Sequence, residues 1–123
     1  MPDVAAHPIR LAIVGIGKIA RDQHVPAIAQ DPRFMLVATA DPHASLADVP
    51  SYPDLGAMLA ALPDLGAVAI CTPPANRAAI AAEAIDAGLA VLLEKPTAAT
   101  LAEAEAIVAR AAAAGTTLMT TWH

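Results

Sequence analysis

The sequence predicts an α/β fold, a doubly wound parallel sheet with strand order 3-2-1-4-5-6. Three observations predict it. Short apolar runs alternate with helical segments along the whole chain. The first run, Ile9–Val14, leads directly into Gly15-Ile16-Gly17-Lys18-Ile19-Ala20, which opens a helical segment. The chemically suggestive polar residues fall just after the apolar runs, at the carboxyl edge where open α/β sheets bind ligands.

Each element follows from its own residues. After the first strand, a helix is expected from about Lys18 to Gln30. Its apolar positions have only rough helical spacing, and Pro26 should kink or interrupt it. Asp31-Pro32 marks its end. The second strand is Met35–Ala40, followed by Asp41. Pro42 to Pro50 reads as a loop or a poor short helix, and Ser51-Tyr52 as a brief edge strand. Pro53 and Asp54 open a helix that runs to about Leu62, where Pro63-Asp64 breaks it. Ala67–Cys71 is the fourth strand, continuously apolar as a strand covered on both faces should be. A helix spans Pro74 to Ala87 and is stopped by Gly88. Ala90–Leu93 is the fifth strand, ending at Glu94-Lys95-Pro96. Thr100 caps a long helix through Ala114, with Glu103 completing a capping box. Gly115 stops it, Thr117–Thr121 is the last strand, and Trp122-His123 close the chain. Right-handed crossovers join the strands.

A chain of 123 residues holds one domain with its core. Residues 1–8 read as a tail and 9–123 as the domain. Hydrophobic residues make up 57% and aromatic residues 2%. Much of the apolar share is alanine, so the core must rest on Val, Ile, Leu and Met. No apolar run reaches the roughly 18–20 residues of a membrane helix, and the first residues lack a signal-peptide pattern. One cysteine, Cys71, allows no internal disulfide. Together these point to a cytoplasmic protein with no membrane partner. A net charge of −5 leaves no basic footprint for nucleic acid. No paired Cys or His spacing points to a metal.

The G-x-G-x-x-A turn is that of a dinucleotide-binding unit. Gly15 permits the tight turn, Gly17 lets the backbone approach a pyrophosphate, and Ala20 keeps the helix near the sheet. The backbone N–H groups at the helix start, around Lys18 and Ile19, face the phosphates. The Lys18 side chain adds charge balance or is solvated surface, and Arg21 is read as surface. Asp41 lies about 20 residues beyond Ala20, the place of a ribose-binding acid. It would repel a 2′-phosphate and so favour NAD, although His43 nearby softens the exclusion of NADP. Its plainer reading is a turn aspartate before Pro42. His24 either faces the site or packs the helix, the second being favoured. Thr72-Pro73-Pro74 stiffens the turn that would lie under a nicotinamide, while Pro74 is also an ordinary helix start. Cys71 reads as a small core residue. Lys95, held by the following proline, could donate to a substrate oxygen, and partial burial would lower its pKa toward neutrality. Its alternative is an ion pair with Glu94 at the sheet margin, and the three residues alone do not choose.

These pieces, in this order, resemble the amino-terminal half of the Gfo/Idh/MocA oxidoreductases. The matching segments are Gly15 to Ala20, His24-Val25-Pro26-Ala27, Thr72-Pro73-Pro74, Ala87-Gly88, Glu94-Lys95-Pro96, Glu103 and Gly115. Ile9 to Ile28 is most similar to a galactose-dehydrogenase-like branch. The resemblance implies a Rossmann cofactor domain and hydride transfer from C1 of a galactose-like aldose, or a polyol, to NAD(P). It implies that Lys95 contacts the substrate oxygen, that Thr72 and Pro73 pack near the nicotinamide, and that Glu94 belongs to the cofactor site. Arg77 stands where many relatives carry a histidine. Relatives also have a second, carboxy-terminal sheet domain that lines the sugar pocket, and the sequence stops before it. The expectation is a domain that holds the cofactor without turning over a sugar, and that self-associates through its last strand as a homo-oligomer. The competing reading is a non-catalytic dinucleotide-binding module that regulates or scaffolds.

Overall fold

The structure is a computed structural model that describes residues 7–120. Six parallel strands form one sheet: β1 (Ile9–Val14), β2 (Phe34–Ala40), β3 (Ser51–Tyr52), β4 (Ala67–Ile70), β5 (Ala90–Leu93) and β6 (Leu118–Thr120). Their order is β3-β2-β1-β4-β5-β6, the expected one. Three ordinary helices follow the later strands: α2 (Leu55–Ala61), α3 (Pro74–Asp86) and α4 (Leu101–Ala114). The helical segment after β1 is different. A π-helical turn over Ala20–His24 runs straight into α1 (Val25–Ala29). Pro26 explains the wider register: it has no N–H to give and its ring crowds the carbonyl one turn back, so the chain loosens ahead of it.

Parallel registration sorts the side chains into two faces. On one face the row Val14, Ile70, Leu93 continues to Ala40. On the other the row is Ile13, Ala69, Leu92, Met119. Helices α2, α3 and α4 all pack on the first face, through Leu55, Met58, Ile85 and Ile107. Met58, Ile85, Leu93 and Val68 lose essentially all solvent contact there. Each such side chain stabilises by roughly 1.5–3 kcal/mol. The second face is covered by the π turn, α1 and the loop 41–50, through Ala20, Val25, Ile28 and Leu46. Beyond them a groove of about 340 Å³ stays open, lined by Leu11, Ile28, Phe34, Leu92 and Met119. The sheet is thus wound on both faces but unequally.

Differences from the expected boundaries are small and local. β2 begins at Phe34, one residue early, because Phe34 already pairs with Ile9 of β1, whose N–H donates to Arg33 O at 2.8 Å. β4 ends at Ile70, one residue early, as Cys71 leaves the sheet edge after donating to Val14 O at 2.7 Å. Residues 41–50 form a loop rather than a helix. The Thr100–Glu103 cap is present, with Glu103 N–H donating to the Thr100 hydroxyl at 3.1 Å, and Gly115 takes the left-handed φ of +71° that ends α4. Residues 1–6 of the expected tail 1–8, the end of the last strand at Thr121, and Trp122-His123 lie outside the described residues. Among the described residues no helix is long and apolar enough to cross a membrane.

Candidate functional site

The strand order reverses between β1 and β4, and a cavity of about 850 Å³ opens at the carboxyl ends there. Gly15, Ile16 and Gly17 form one wall, Asp41 to His43 a second, and Cys71, Thr72 and Pro73 a third. The N-cap of α2, Asp54, and the first turn of α3, with Asn76, complete it. Its size suits a cofactor, since ligand pockets run to roughly 300–1,000 Å³.

The two glycines of the turn do different work. Gly15 has φ +92°, and a Cβ there would stand 2.8 Å from Thr72 N and 2.9 Å from the Cys71 carbonyl carbon. It is a glycine because two strand ends meet at that point. Gly17 has an ordinary φ, and a Cβ on it would meet nothing within 4 Å. Nothing inside the protein requires Gly17 to lack a side chain, so the open space beside it is free for a bulky anion. The first helical bond runs from Arg21 N–H to Gly17 O at 3.1 Å. The amides before it have no partner inside the helix and point out of its start. Thr72 contributes a buried hydroxyl without a hydrogen-bond partner among the described residues, on the same cavity wall. A dinucleotide fits this donor set: open amides and a spare hydroxyl around a cleft left clear by Gly17.

Asp41 is more occupied than a free ribose acceptor. One carboxylate oxygen accepts the Ile16 N–H at 2.7 Å; the other accepts His43 N–H at 2.8 Å and Ala44 N–H at 2.9 Å. Partial burial pushes this carboxyl up, but the three amides and the nearby His43 ring outweigh it and hold its pKa below the ordinary value. Asp41 thus closes the turn after β2, ties that turn to the glycine loop, and lines the cavity. A carboxylate offers about four acceptor positions, and three are used here.

The Glu94-Lys95-Pro96 turn is built from below. Glu94 is buried and its carboxylate meets the buried His24 ring of the π turn. Arg77, on the first turns of α3, is also buried at 4% exposure. Its guanidinium donates to three backbone carbonyls: Glu94 O, Pro96 O and Thr72 O. The Lys95–Pro96 peptide is cis. Lys95 itself is exposed, so these residues do not provide the partial burial expected of it. Burial, with the Glu94 carboxylate beside it, pushes the Cys71 thiol up to about 12, so it stays protonated at neutral pH.

The structure brings Gly15, Gly17, Asp41, Thr72 and Pro73 onto one cavity. Lys18 and Ile19 follow at the helix start but do not line it, and Glu94 and Lys95 stand on the next strand end. The Lys18 ammonium is solvated and bonds Asp22 at 2.5 Å, so its exposed side chain fits the surface alternative; that pairing raises its pKa. Arg21 is a surface residue too, its guanidinium reaching Ser45 O at 3.2 Å. Sequence reasoning missed Asp54, Asn76, Glu83 and the clamp made by Arg77. Asp54 was legible as an N-cap, and its carboxylate does accept the Ala57 N–H at 2.8 Å. Its approach to Glu83 across Gly56 depends on how α2 and α3 pack, which no local pattern announces.

Comparison with known proteins agrees with this geometry. Residues 9–122 match the oxidoreductase family with an NAD-binding Rossmann fold, Gfo/Idh/MocA. The chain is 46% identical over 97 residues to galactose 1-dehydrogenase of Pseudomonas fluorescens, covering 79% of this chain and 32% of that one. It is 35% identical over 112 residues to an uncharacterised protein of Saccharomyces cerevisiae, covering 82% of this chain and 32% of the other. The crystal structure of D-galactose-1-dehydrogenase from Rhizobium etli superposes with a TM-score of 0.91 at 49% identity, over 94% of this chain and 38% of that chain. The chain therefore spans about a third of the length of the relatives it matches. With its strand order, its glycine turn and its cavity at the strand reversal, the chain belongs to the Gfo/Idh/MocA oxidoreductases and carries their NAD-binding Rossmann domain.

Proposed function

We propose that this domain serves an NAD-dependent sugar dehydrogenase, one that oxidises C1 of a galactose-like aldose to a lactone. The observation that carries the cofactor half is the cavity beside Gly17, with outward amides on one wall and Asp41 on another. Gly15, Gly17, Lys18 and Ile19 supply the backbone of the diphosphate cradle. The carboxylate of Asp41 takes the adenosine ribose with its remaining acceptor position. Asp54 and Glu83 line the same cavity, and with Asp41 they oppose a 2′-phosphate, which favours NAD over NADP. Thr72 and Pro73 form the floor under the nicotinamide, and Glu94 supports it from the next strand.

NAD, when bound, supplies the hydride acceptor. Lys95 donates a hydrogen bond to the C1 oxygen and helps move its hydroxyl proton out to water as the C–H electrons leave. Identity with galactose 1-dehydrogenase supports the aldose reading, and the exposed position of Lys95 at the carboxyl edge supports its access to substrate. The alternative, a binding module without catalysis, has less use for that lysine. The open groove over β5 and β6, with Met119 61% exposed, supports self-association.

Titration of NADH into the purified chain, followed by its fluorescence, tests the cofactor reading. Enhancement with a micromolar to millimolar Kd is expected, tighter than for NADPH. No binding at millimolar NADH would remove the reading. For the sugar, adding galactose and NAD to a protein of the relatives' length should raise absorbance at 340 nm, and Lys95→Met should abolish that rise while sparing NADH binding.

A further inference from the structure

We propose that Arg77 is a positioning residue for Lys95: by gripping the carbonyls on either side of that lysine it fixes the backbone from which the amine reaches over the carboxyl edge of the sheet. The proposal rests on the reading of Lys95 as the substrate-facing amine. Three observations carry it. One guanidinium nitrogen donates to both Glu94 O and Pro96 O, the two residues that bracket Lys95. The other terminal nitrogen donates to Thr72 O, in the turn beneath the proposed nicotinamide position. And the side chain that makes all three bonds is buried, as an arginine rarely is without a purpose.

The geometry suits arginine and no other side chain. Its planar fork holds several N–H groups at fixed angles, so three carbonyls from two strand ends can be held at once. A lysine ammonium could reach the region but not reproduce the fork. Glutamine offers two donors on one nitrogen. Methionine fills similar volume with none. Since β4 delivers Thr72 and β5 delivers Lys95, Arg77 also sets the spacing between cofactor turn and lysine. Reaction geometry is sensitive to displacements of about 1 Å at such a point. The Glu94 side chain is anchored separately, on His24, so the turn is held at its backbone by α3 and at its acid by the π turn.

The chain contains two lysines, Lys18 and Lys95, so labelling with [15N]lysine gives two assignable backbone signals. Relaxation measured without cofactor reads the order of each and is independent of whether NAD binds. Wild-type Lys95 is expected to show an order parameter near that of rigid backbone, about 0.85. In Arg77→Met and Arg77→Gln it should fall below about 0.6, with Lys18 unchanged. Ile85→Val, which weakens the same helix's packing away from the clamp, should leave Lys95 rigid. Lys95 remaining rigid in both Arg77 variants overturns the proposal, as does a wild-type Lys95 that is already mobile. Failure of both variants to fold also overturns it, making Arg77 a folding residue. A separate NADH titration of the wild type tests the cofactor reading, and its failure would leave the Lys95 result standing.

Discussion

Replacing Gly15 with alanine should cripple folding, while the same change at Gly17 should spare folding and weaken NADH binding. At Gly15 the new Cβ would lie 2.8 Å from Thr72 N and 2.9 Å from the Cys71 carbonyl carbon, at a φ of +92°. Both obstacles are backbone. Neither can retreat easily, because Cys71 N–H is bonded to Val14 O at 2.7 Å across the same two strand ends. A left-handed φ costs an L-residue roughly 1–2 kcal/mol, and overpacking adds about 1–3 kcal/mol. A total near 3–4 kcal/mol is a large part of the roughly 5–15 kcal/mol available to a domain. With a urea slope of about 1.5 kcal/mol/M the midpoint should drop by about 2 M. At Gly17 the Cβ meets no atom within 4 Å and φ is ordinary, so the urea midpoint should hold or rise slightly. The methyl group would instead stand in the space assigned to the diphosphate, and NADH affinity should fall at least tenfold. Circular dichroism during urea unfolding reads the first quantity, NADH fluorescence the second. A Gly15→Ala chain with a wild-type midpoint, or a Gly17→Ala chain with wild-type affinity, would refute the division of labour between the two glycines.

Asp41→Ala should lower stability by about 2 kcal/mol, since three amides lose a charged acceptor, and should weaken NADH more than NADPH; an unchanged cofactor ratio would remove its ribose role. Because the folded pKa of Asp41 lies below the unfolded value of about 3.9, its contribution is complete above that pH and is lost as pH falls through the folded value. Urea midpoints taken from pH 6 to pH 2 should therefore decline in acid, and Asp41→Asn should shrink the decline. Native Cys71, with its thiol pushed up to about 12, should react with a disulfide reagent at pH 8 about 10²–10³ times more slowly than in the unfolded chain; equal rates would contradict that upward shift. Thr100→Ala removes the N-cap of α4 and should cost about 1 kcal/mol, read as a fall in Tm of about 3–5 °C.

The elements were legible because this chain punctuates itself. Pro63-Asp64, Gly88 and Gly115 stop helices by local chemistry, and Thr100 starts one, so each signal needs only its neighbours. The π turn at Ala20–His24 was half legible: Pro26 announced an irregularity without saying which register would absorb it. The cavity positions of Gly15 and Asp41 followed from strand ends. What stayed hidden needed long-range partners. The three amides on Asp41 come partly from the loop after β1, and the partners of Arg77 lie on the turns after β4 and β5. The sequence marked Arg77 only as standing where many relatives carry a histidine; that it turns inward depends on the packing of α3 against β4 and β5.

One face of the sheet is sealed by three helices, while the β5–β6 part of the other leaves Leu92 partly wet and Met119 well exposed. Heat capacity rises when unfolding newly hydrates apolar atoms, by about 12–15 cal/mol/K per residue in ordinary domains. Here some of those atoms already touch water before unfolding begins. Calorimetry on the isolated monomer should accordingly return a value below that norm, with a broader, flatter stability curve than its length implies.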